Sequence, residues 1–417
     1  MVQATQESYD GLAERVIENG ILNDPWTNGL PRFGQEPIVL SSSQQKELYR
    51  AAEGVAAVYN EVCQLCEDDP SLIDNFLQLT PFQKAMWTSS APLWHGLARA
   101  DIFMTEDGLQ FTEINSDTPT GEAEAVVLNE LVHPAHPGTV DPNVGLADAY
   151  RSMLEMFAEP VLAAGIPKSI GIVYPTEFTE DLSLVRLFRH WFESWGWDVV
   201  LGSPYNLSLS KDNTIHLFDT PVAAVLRHYK TDWWGERVPV WTDEDIPDRD
   251  PLAEPLGMMF AASLNERVAI LNPFGAVIPQ NKRSMALMWE KIHRFSPFAQ
   301  ESIRKYIPFT SRLEVMHVEQ LLAEKDEWVL KSDYGAEGEE VIIGKLATDK
   351  DWKQSLELAS PGHWVAQRYF EANRNAVGDT INFGVYLVAG QAKALYARSQ
   401  KGATDTTSLS LPIFVTE

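Results

Sequence analysis

The sequence predicts a mixed α/β fold of two or three domains, and three observations carry that prediction. The first is the strand–helix–strand run SIGIVYP, DLSLVRLFRHWFESWG and WDVVLGSP, whose order fits a parallel βαβ unit of about 35 residues. The second is a set of strand–turn–strand stretches, among them ARADIFMTEDGLQFTEIN and NFGVYLVAGQAKALYARSQ, set between amphipathic helices. The third is size. A chain of 417 residues with 45% hydrophobic content buries a large core and exceeds one typical domain.

The elements follow in order. Residues 1–97 read mainly as helix and loop. The Pro/Gly-rich LNDPWTNGLPRFGQEP leads to a serine triplet in which Ser42 and Gln45 have capping-box spacing. A long amphipathic helix is expected next, with Leu48, Ala52, Val55, Val58 and Val62 on its apolar face. Within it, Cys63 and Cys66 form a C-x-x-C pair. No second Cys or His pair follows at zinc spacing and no redox-type strand precedes it, so two helix thiols without a redox or metal role are expected. A hairpin comes after, then the helix GEAEAVVLNELVHP, a proline-rich loop, and the helix GLADAYRSMLEMFAEPVLAAG. The βαβ run begins at Ser169, with IHLFD and AAVLRHYK as further strands. Its first turn, residues 174–179, lacks a glycine fingerprint, which argues against dinucleotide binding. From Pro255 onward the pattern is again mixed. A helix carries Lys282 near its start, VLKSDYGAEGEEVIIG reads as strand, glycine loop and strand, and the last hairpin turns at Ala389-Gly390.

Composition excludes several function classes. A net charge of -26 repels nucleic-acid phosphates. No apolar run approaches the roughly 18 residues a membrane span needs. The start MVQATQESYDG lacks the basic-then-apolar pattern of a signal peptide, and two cysteines make no disulfide framework, so a cytoplasmic location is expected.

The first hairpin carries the chemistry. A three-residue loop, Glu106-Asp107-Gly108, sets residues whose numbers sum to 214 opposite each other. Asp101 then faces Glu113 and Arg99 faces Asn115, all on one face with Phe103 and Phe111. Facing carboxylates repel unless a cation lies between them. With Asn115 beside them they form an all-oxygen set suited to Mg²⁺ or Mn²⁺, the alternatives being that both acids point to solvent or that Arg99 alone pairs with one of them. Lys331, followed by Gly335 and Gly338, suits a flap over nucleotide phosphates, but the order is not that of a P-loop. Lys282 in a first helical turn and Arg398 leaving an apolar strand are further candidates for phosphate contact. Nucleophilic catalysis has no support: there is no G-x-S-x-G, neither cysteine has a recognisable His partner, and the nine histidines show no zinc spacing.

Taken together, these segments resemble the glutathionylspermidine synthase family of ATP-grasp ligases. RADIF with Glu113-Ile-Asn115 and SDTPTG is similar to the family's R-x-D … E-x-N-x-D-T-P-T block. NKRSMALMWE, VLKSDYGAEGEEV, WVAQRYF and GVYLVAGQAKALYAR resemble its later motifs in the same order. The resemblance implies an ATP-grasp fold with permuted order and an inserted small Rossmann-like, pre-ATP-grasp lobe. It divides the chain into residues 1–168, 169–254 and 255–417. It implies a stand-alone synthetase form without an amidase domain, working with ATP and Mg²⁺ (two ions, or Mn²⁺). Asp101, Glu113 and Asn115 become metal ligands, and Arg99 stabilises the transferred phosphoryl group. Lys282, Lys331 and the loop with Gly338 hold ATP phosphates, Gln367 to Phe370, Tyr369 included, border the adenine, and Arg398 lies near the γ-phosphate. Thr118 and Thr231 are possible substrate contacts. The reaction implied is carboxylate activation to an acyl phosphate, then attack by a polyamine or an amino-acid or peptide amine, with small molecules as partners. Two departures stand out: the family's loop arginine is Ala336 here, and its proline after the lysine is Ser332. Loss of that arginine leaves open a second reading, an ATP-binding protein of the same fold with impaired catalysis and a regulatory or scaffold role.

Overall fold

The computed structural model describes residues 9–177, 179–236, 252–335, 341–359, 362–401 and 408–416. The long helix spans Ser42–Asp68 and starts one residue earlier than its sequence spacing suggests. Ser41, rather than Ser42, is the cap: its hydroxyl accepts from the Gln44 amide, and the Gln44 side chain accepts from the Ser41 amide. Both residue pairs have the same spacing, so the sequence motif alone does not choose between them.

This helix lies across one face of a five-stranded antiparallel sheet. The strands run in the order Leu409–Leu411, Gln391–Gln400, Thr380–Val388, Leu97–Thr105, Gly108–Asn115. The early hairpin thus pairs directly with the closing hairpin, more than 270 residues later in the chain, Asp101 lying opposite Gly384. Alternation sorts the first strand cleanly. Ala98, Ala100 and Ile102 pack in the core with Val55, Val58 and Val62 of the helix, while Arg99, Asp101 and Phe103 point into a cleft. The closing hairpin turns at Ala389 and Gly390, both with positive φ, as a two-residue turn with the twist of its strands requires. Cys63 and Cys66 lie in the same helix core. Burial pushes both thiols up, Cys66 to about 12, so neither is a thiolate nucleophile.

The βαβ run forms a four-stranded parallel sheet in the order Ala269–Leu271, Ala224–Arg227, Ser169–Val173, Asp198–Gly202. Its helix, Leu182–Ser194, buries Leu184, Leu187, Phe188, Trp191 and Phe192. Ile215–Leu217 is a further strand, as expected, and belongs to a separate three-stranded antiparallel sheet. Because later strands add on both sides of Ser169–Val173, a topological switch point lies beside it, and a crevice opens at the strands' carboxyl ends. A third sheet, Thr310–Arg312, Trp364–Arg368, Trp328–Ser332, Val341–Ile343, is antiparallel. Helix Asp349–Ala359 covers it through a small core around Trp328, Leu330 and Trp352. The mixed α/β class expected from the sequence is the one observed.

Candidate active site

The three sheets meet around one cleft of about 830 Å³, within the range of small-molecule sites. Its floor is the first hairpin. Asp101 lies opposite Glu113 and Arg99 opposite Asn115, as counting across the turn predicts, but the route to that register differs. Thr105 pairs with Gly108 and Ile102 with Phe111, so the loop has two residues and a bulge at Thr112 supplies the third. The bulge turns Phe111 away from the cleft, 1% exposed, against Tyr306. The expectation that Phe111 shares the acidic face is therefore corrected. Phe103 keeps its place there, beside Phe370 with ring centroids 5.8 Å apart. The bulge also has a use: the Thr112 carbonyl accepts a hydrogen bond from Lys331 Nζ at 3.1 Å. Bulges next to active sites commonly re-aim groups in this way.

Four cations converge on the two carboxylates. Arg99 donates from Nε to Asp101 Oδ1 at 2.6 Å and from Nη2 to Oδ2 at 3.0 Å. Its third donor, Nη1, goes to the Thr120 carbonyl. Gly384 makes this possible, since a Cβ there would stand 2.8 Å from Arg99 Cδ. Arg398 Nη2 reaches Asp101 Oδ2 at 3.1 Å. Lys282 Nζ lies 3.1 Å from Glu113 Oε2 and donates to the Gly335 carbonyl at 2.7 Å. Burial alone pushes the Glu113 carboxyl up, but Lys282 and Lys331 outweigh it and hold it down at about 2. Burial pushes the Lys331 ammonium down to about 8, with Lys282 acting in the same sense and Glu113 opposing.

The donor set fits a hard divalent cation. Asp101, Glu113 and Asn115 supply oxygens, and the buried Oδ1 of Asn382, a residue not singled out from sequence, has no hydrogen-bond partner. Asn382 sits opposite Arg398 in the closing hairpin and its Nδ2 faces Asp101 Oδ2 at 3.5 Å. Among the described residues no group of three His, Cys, Asp or Glu side chains is placed to hold a metal. Two carboxylates with amide oxygens suit Mg²⁺ completed by water and phosphate oxygens, not a closed protein cage.

The other expected residues separate. Gln367 and Tyr369 line the cleft with Val329, Ile343, Leu346 and Phe370; Gln367 is 2% exposed and donates to Thr310 Oγ1. Thr118 lines the cleft as well. Thr231 does not: it is 1% exposed, and its N–H and hydroxyl both go to Asp117 Oδ2. The expected substrate contact is thus a buried support for the SDTPT loop. Gly338 and Ala336 lie outside the described residues.

Sequence reasoning missed two features. Asp117 pairs with Arg227 at 2.7 Å, both side chains almost fully buried, and Asn272 Nδ2 donates to the carbonyls of Leu97, Ser116 and Asp117. These bonds tie the loop after the hairpin to the parallel sheet. Asp117 lies inside the SDTPTG motif, but its partner is 110 residues away with no local pattern. The second is Glu122, first residue of the helix Glu122–Val132 and 0% exposed. It follows Gly121, whose φ of 93° and whose closeness to the Tyr386 and Tyr396 rings leave no room for a Cβ. Neither Glu122 oxygen meets a partner on another described residue, and burial pushes its carboxyl up to about 8. A carboxyl raised on folding stabilises below its unfolded value and loses that advantage as pH rises through its folded value. Urea unfolding at pH 5 and 7.5 is expected to show a loss of about 3 kcal/mol across that interval from this group. Glu122→Gln is expected to remove that loss.

The comparisons with known proteins agree with this architecture. A glutathione synthetase-like effector from Globodera pallida, in apo form, superposes with a TM-score of 0.57 at 12% identity, over 97% of this chain and 95% of that one. A candidate gamma-glutamylcysteine synthetase from Methylobacillus flagellatus gives a TM-score of 0.44 at 11% identity, over 87% and 86%. No curated protein matches. The first of these superpositions shows a fold of the same mixed α/β kind as that glutathione synthetase-like effector. The family model described as glutathionylspermidine synthase pre-ATP-grasp matches residues 31–416, and the chain belongs to that family.

Proposed function

We propose that the protein is an ATP- and Mg²⁺-dependent carboxylate–amine ligase that forms an amide through an acyl phosphate. The observation that carries this reading is the facing Asp101–Glu113 pair, ringed by Arg99, Lys282, Lys331 and Arg398. Carboxylates beside several cations, with an apolar slot of Val329, Ile343, Leu346 and Phe370 in the same cleft, suit a nucleoside triphosphate and its metal. The ATP-grasp core is read as permuted, since the early hairpin completes the sheet of the closing hairpin. Units of residues 1–168, 169–254 and 255–417 belong to the same proposal, the middle one being the pre-ATP-grasp lobe.

In this reading a substrate carboxylate oxygen attacks the γ-phosphorus and ADP departs. The acceptor nitrogen then bonds to the acyl carbon, phosphate leaves with the electron pair, and the nitrogen loses a proton. Asp101, Glu113, Asn115 and Asn382 would hold Mg²⁺, which would neutralise charge on the phosphoryl oxygens. Arg99, fixed by Asp101 and the Thr120 carbonyl, presents a rigid positive charge to the transferring group. Lys331 and Arg398 hold phosphate oxygens. Glu124, Glu180, Asp181 and Asp232 on the cleft wall favour a cationic amine acceptor, a polyamine or an amino-acid or peptide amine. No helix among the described residues is long and apolar enough to cross a membrane. Small-molecule partners and a cytoplasmic location complete the proposal.

The test is an ADP-release screen of carboxylic acids against amines, with mass spectrometry of the product. ADP release that requires both an acid and an amine supports the ligase. Binding of nucleotide without turnover across the whole screen would favour the impaired reading. The Lys331 environment sets a pH dependence for binding. Its ammonium loses charge above about 8, so affinity for ADP is expected to fall about tenfold from pH 7 to pH 9. The Lys331→Met variant should bind more weakly at pH 7 and show a flat profile in isothermal titration.

A further inference from the structure

The centre of the cleft is electropositive although the chain as a whole carries -26. Four cations, Arg99, Lys282, Lys331 and Arg398, face two carboxylates, Asp101 and Glu113, which leaves an excess of two positive charges. Three of the four oxygens of those carboxylates already face a protein cation. Asp101 is held by both arginines, and Glu113 by Lys282, whose side chain is 2% exposed. Lys282 does not line the open cleft. It sits behind Glu113, also fastened to the Gly335 carbonyl.

We propose that Lys282 is a placeholder cation that occupies Glu113 in the free protein, so that polyphosphate binds first and the divalent cation is admitted only with it. The argument is electrostatic. A lone divalent cation meets net positive charge and a Glu113 carboxylate whose Oε2 is already engaged by Lys282. A polyphosphate meets an uncompensated excess of cations and needs no metal to enter. Once phosphate oxygens are present they draw off Lys331 and Arg398 and supply the missing metal ligands, because Mg²⁺ is usually held by one or two carboxylates together with phosphates. Lys282 is therefore a positioning residue, acting through Glu113. The coupling is reciprocal: metal raises nucleotide affinity by the factor by which nucleotide raises metal affinity. This inference rests on the nucleotide reading proposed above and goes beyond it in assigning an order of binding and a residue that enforces it.

The experiment uses Mn²⁺ and the non-hydrolysable ATP analogue AMPPNP on the full chain. Free Mn²⁺ is followed by electron paramagnetic resonance and AMPPNP binding by calorimetry, the latter with and without EDTA. Wild type is expected to bind AMPPNP in EDTA and to leave the free Mn²⁺ signal unchanged when no nucleotide is present. Lys282→Met is expected to raise the affinity for Mn²⁺ alone about tenfold and to lower the mutual enhancement between Mn²⁺ and AMPPNP by a similar factor. A merely structural lysine would lower thermal stability without creating any Mn²⁺ binding. If Lys282→Met does not fold, Glu113→Gln gives an independent reading: AMPPNP affinity in EDTA should be kept or increased, while the enhancement by Mn²⁺ is lost. The proposal is overturned if wild type binds Mn²⁺ alone as tightly as Lys282→Met does, or if EDTA abolishes AMPPNP binding while Mn²⁺ restores it. Absence of AMPPNP binding under every condition overturns the nucleotide reading itself, and the placeholder with it.

Discussion

Glu113→Gln is expected to reduce ADP release about a thousandfold in the presence of a competent acid and amine, with the fold intact. The substitution keeps the shape of the side chain and removes one charge. That charge is present at every working pH, because Lys282 and Lys331 outweigh burial and hold the carboxyl at about 2. In the free protein the loss is cushioned: glutamine still offers an oxygen to Lys282 Nζ, now 3.1 Å from the carboxylate. During phosphoryl transfer nothing replaces it, since Asp101 is then the only carboxylate of the hairpin left to hold the metal. Removing one preorganised electrostatic group from such a centre typically costs about 10² to 10³ in turnover. The checks are steady-state ADP release and a thermal melt of the same preparation. Turnover within a few-fold of wild type would sink the assignment of the hairpin as the metal face. Lost turnover together with a collapsed melting temperature would instead make Glu113 a structural ion-pair partner.

That Glu113 could be singled out from sequence reflects what local pattern does and does not encode. The Asp101–Glu113 pairing followed from a loop assumed to have three residues. The chain uses two loop residues and a bulge at Thr112, and the two descriptions give the same register beyond the bulge. They differ inside it, which is why Asp101 and Glu113 were placed correctly and Phe111 was not. A bulge is decided by packing on both faces at once, here the Phe111 ring against Tyr306 and the Thr112 carbonyl on Lys331, and neither partner is near in sequence. The parallel βαβ unit was legible for the opposite reason, its periodicity being set within some 35 residues. Lys282 shows a further limit. Its position at a helix start was readable, but its partners, Glu113 and the Gly335 carbonyl, come from the early hairpin and from the loop after the strand Trp328–Ser332. The buried Glu122 carboxyl was passed over because an acidic residue in a first helical turn is ordinary. Its complete burial, with the Glu124 and Asp181 carboxylates adding to it, makes it costly to ionise.

Asp117→Ala is expected to destabilise the protein by about 3–5 kcal/mol, the usual consequence of leaving one member of a buried ion pair without its partner. Arg227 is buried on all sides: its Nη2 lies 2.7 Å from Asp117 Oδ1, its Nη1 donates to the Tyr229 carbonyl, and its guanidinium stacks over Phe274 at 4.8 Å. Alanine removes the only carboxylate that faces it among the described residues, and also the acceptor of two bonds from Thr231. The double variant Asp117→Ala with Arg227→Met takes away the stranded charge and fills much of its volume with an apolar side chain. It is expected to recover a large part of the loss, because a buried pair replaced as a whole is often near neutral. Urea unfolding of the wild type, the two single variants and the double variant closes the cycle, and residues in contact are expected to show strong non-additivity. A single-variant cost below about 1 kcal/mol, or a double variant no better than Asp117→Ala, would show that the pair does not carry this junction. The consequence reaches the cleft, because Asp117 begins the Thr118–Gly121 segment that lines it, and that segment's Thr120 carbonyl fixes Arg99. In the surviving folded fraction of Asp117→Ala, turnover should therefore fall even at temperatures where the fold is retained, whereas the double variant should regain stability ahead of activity.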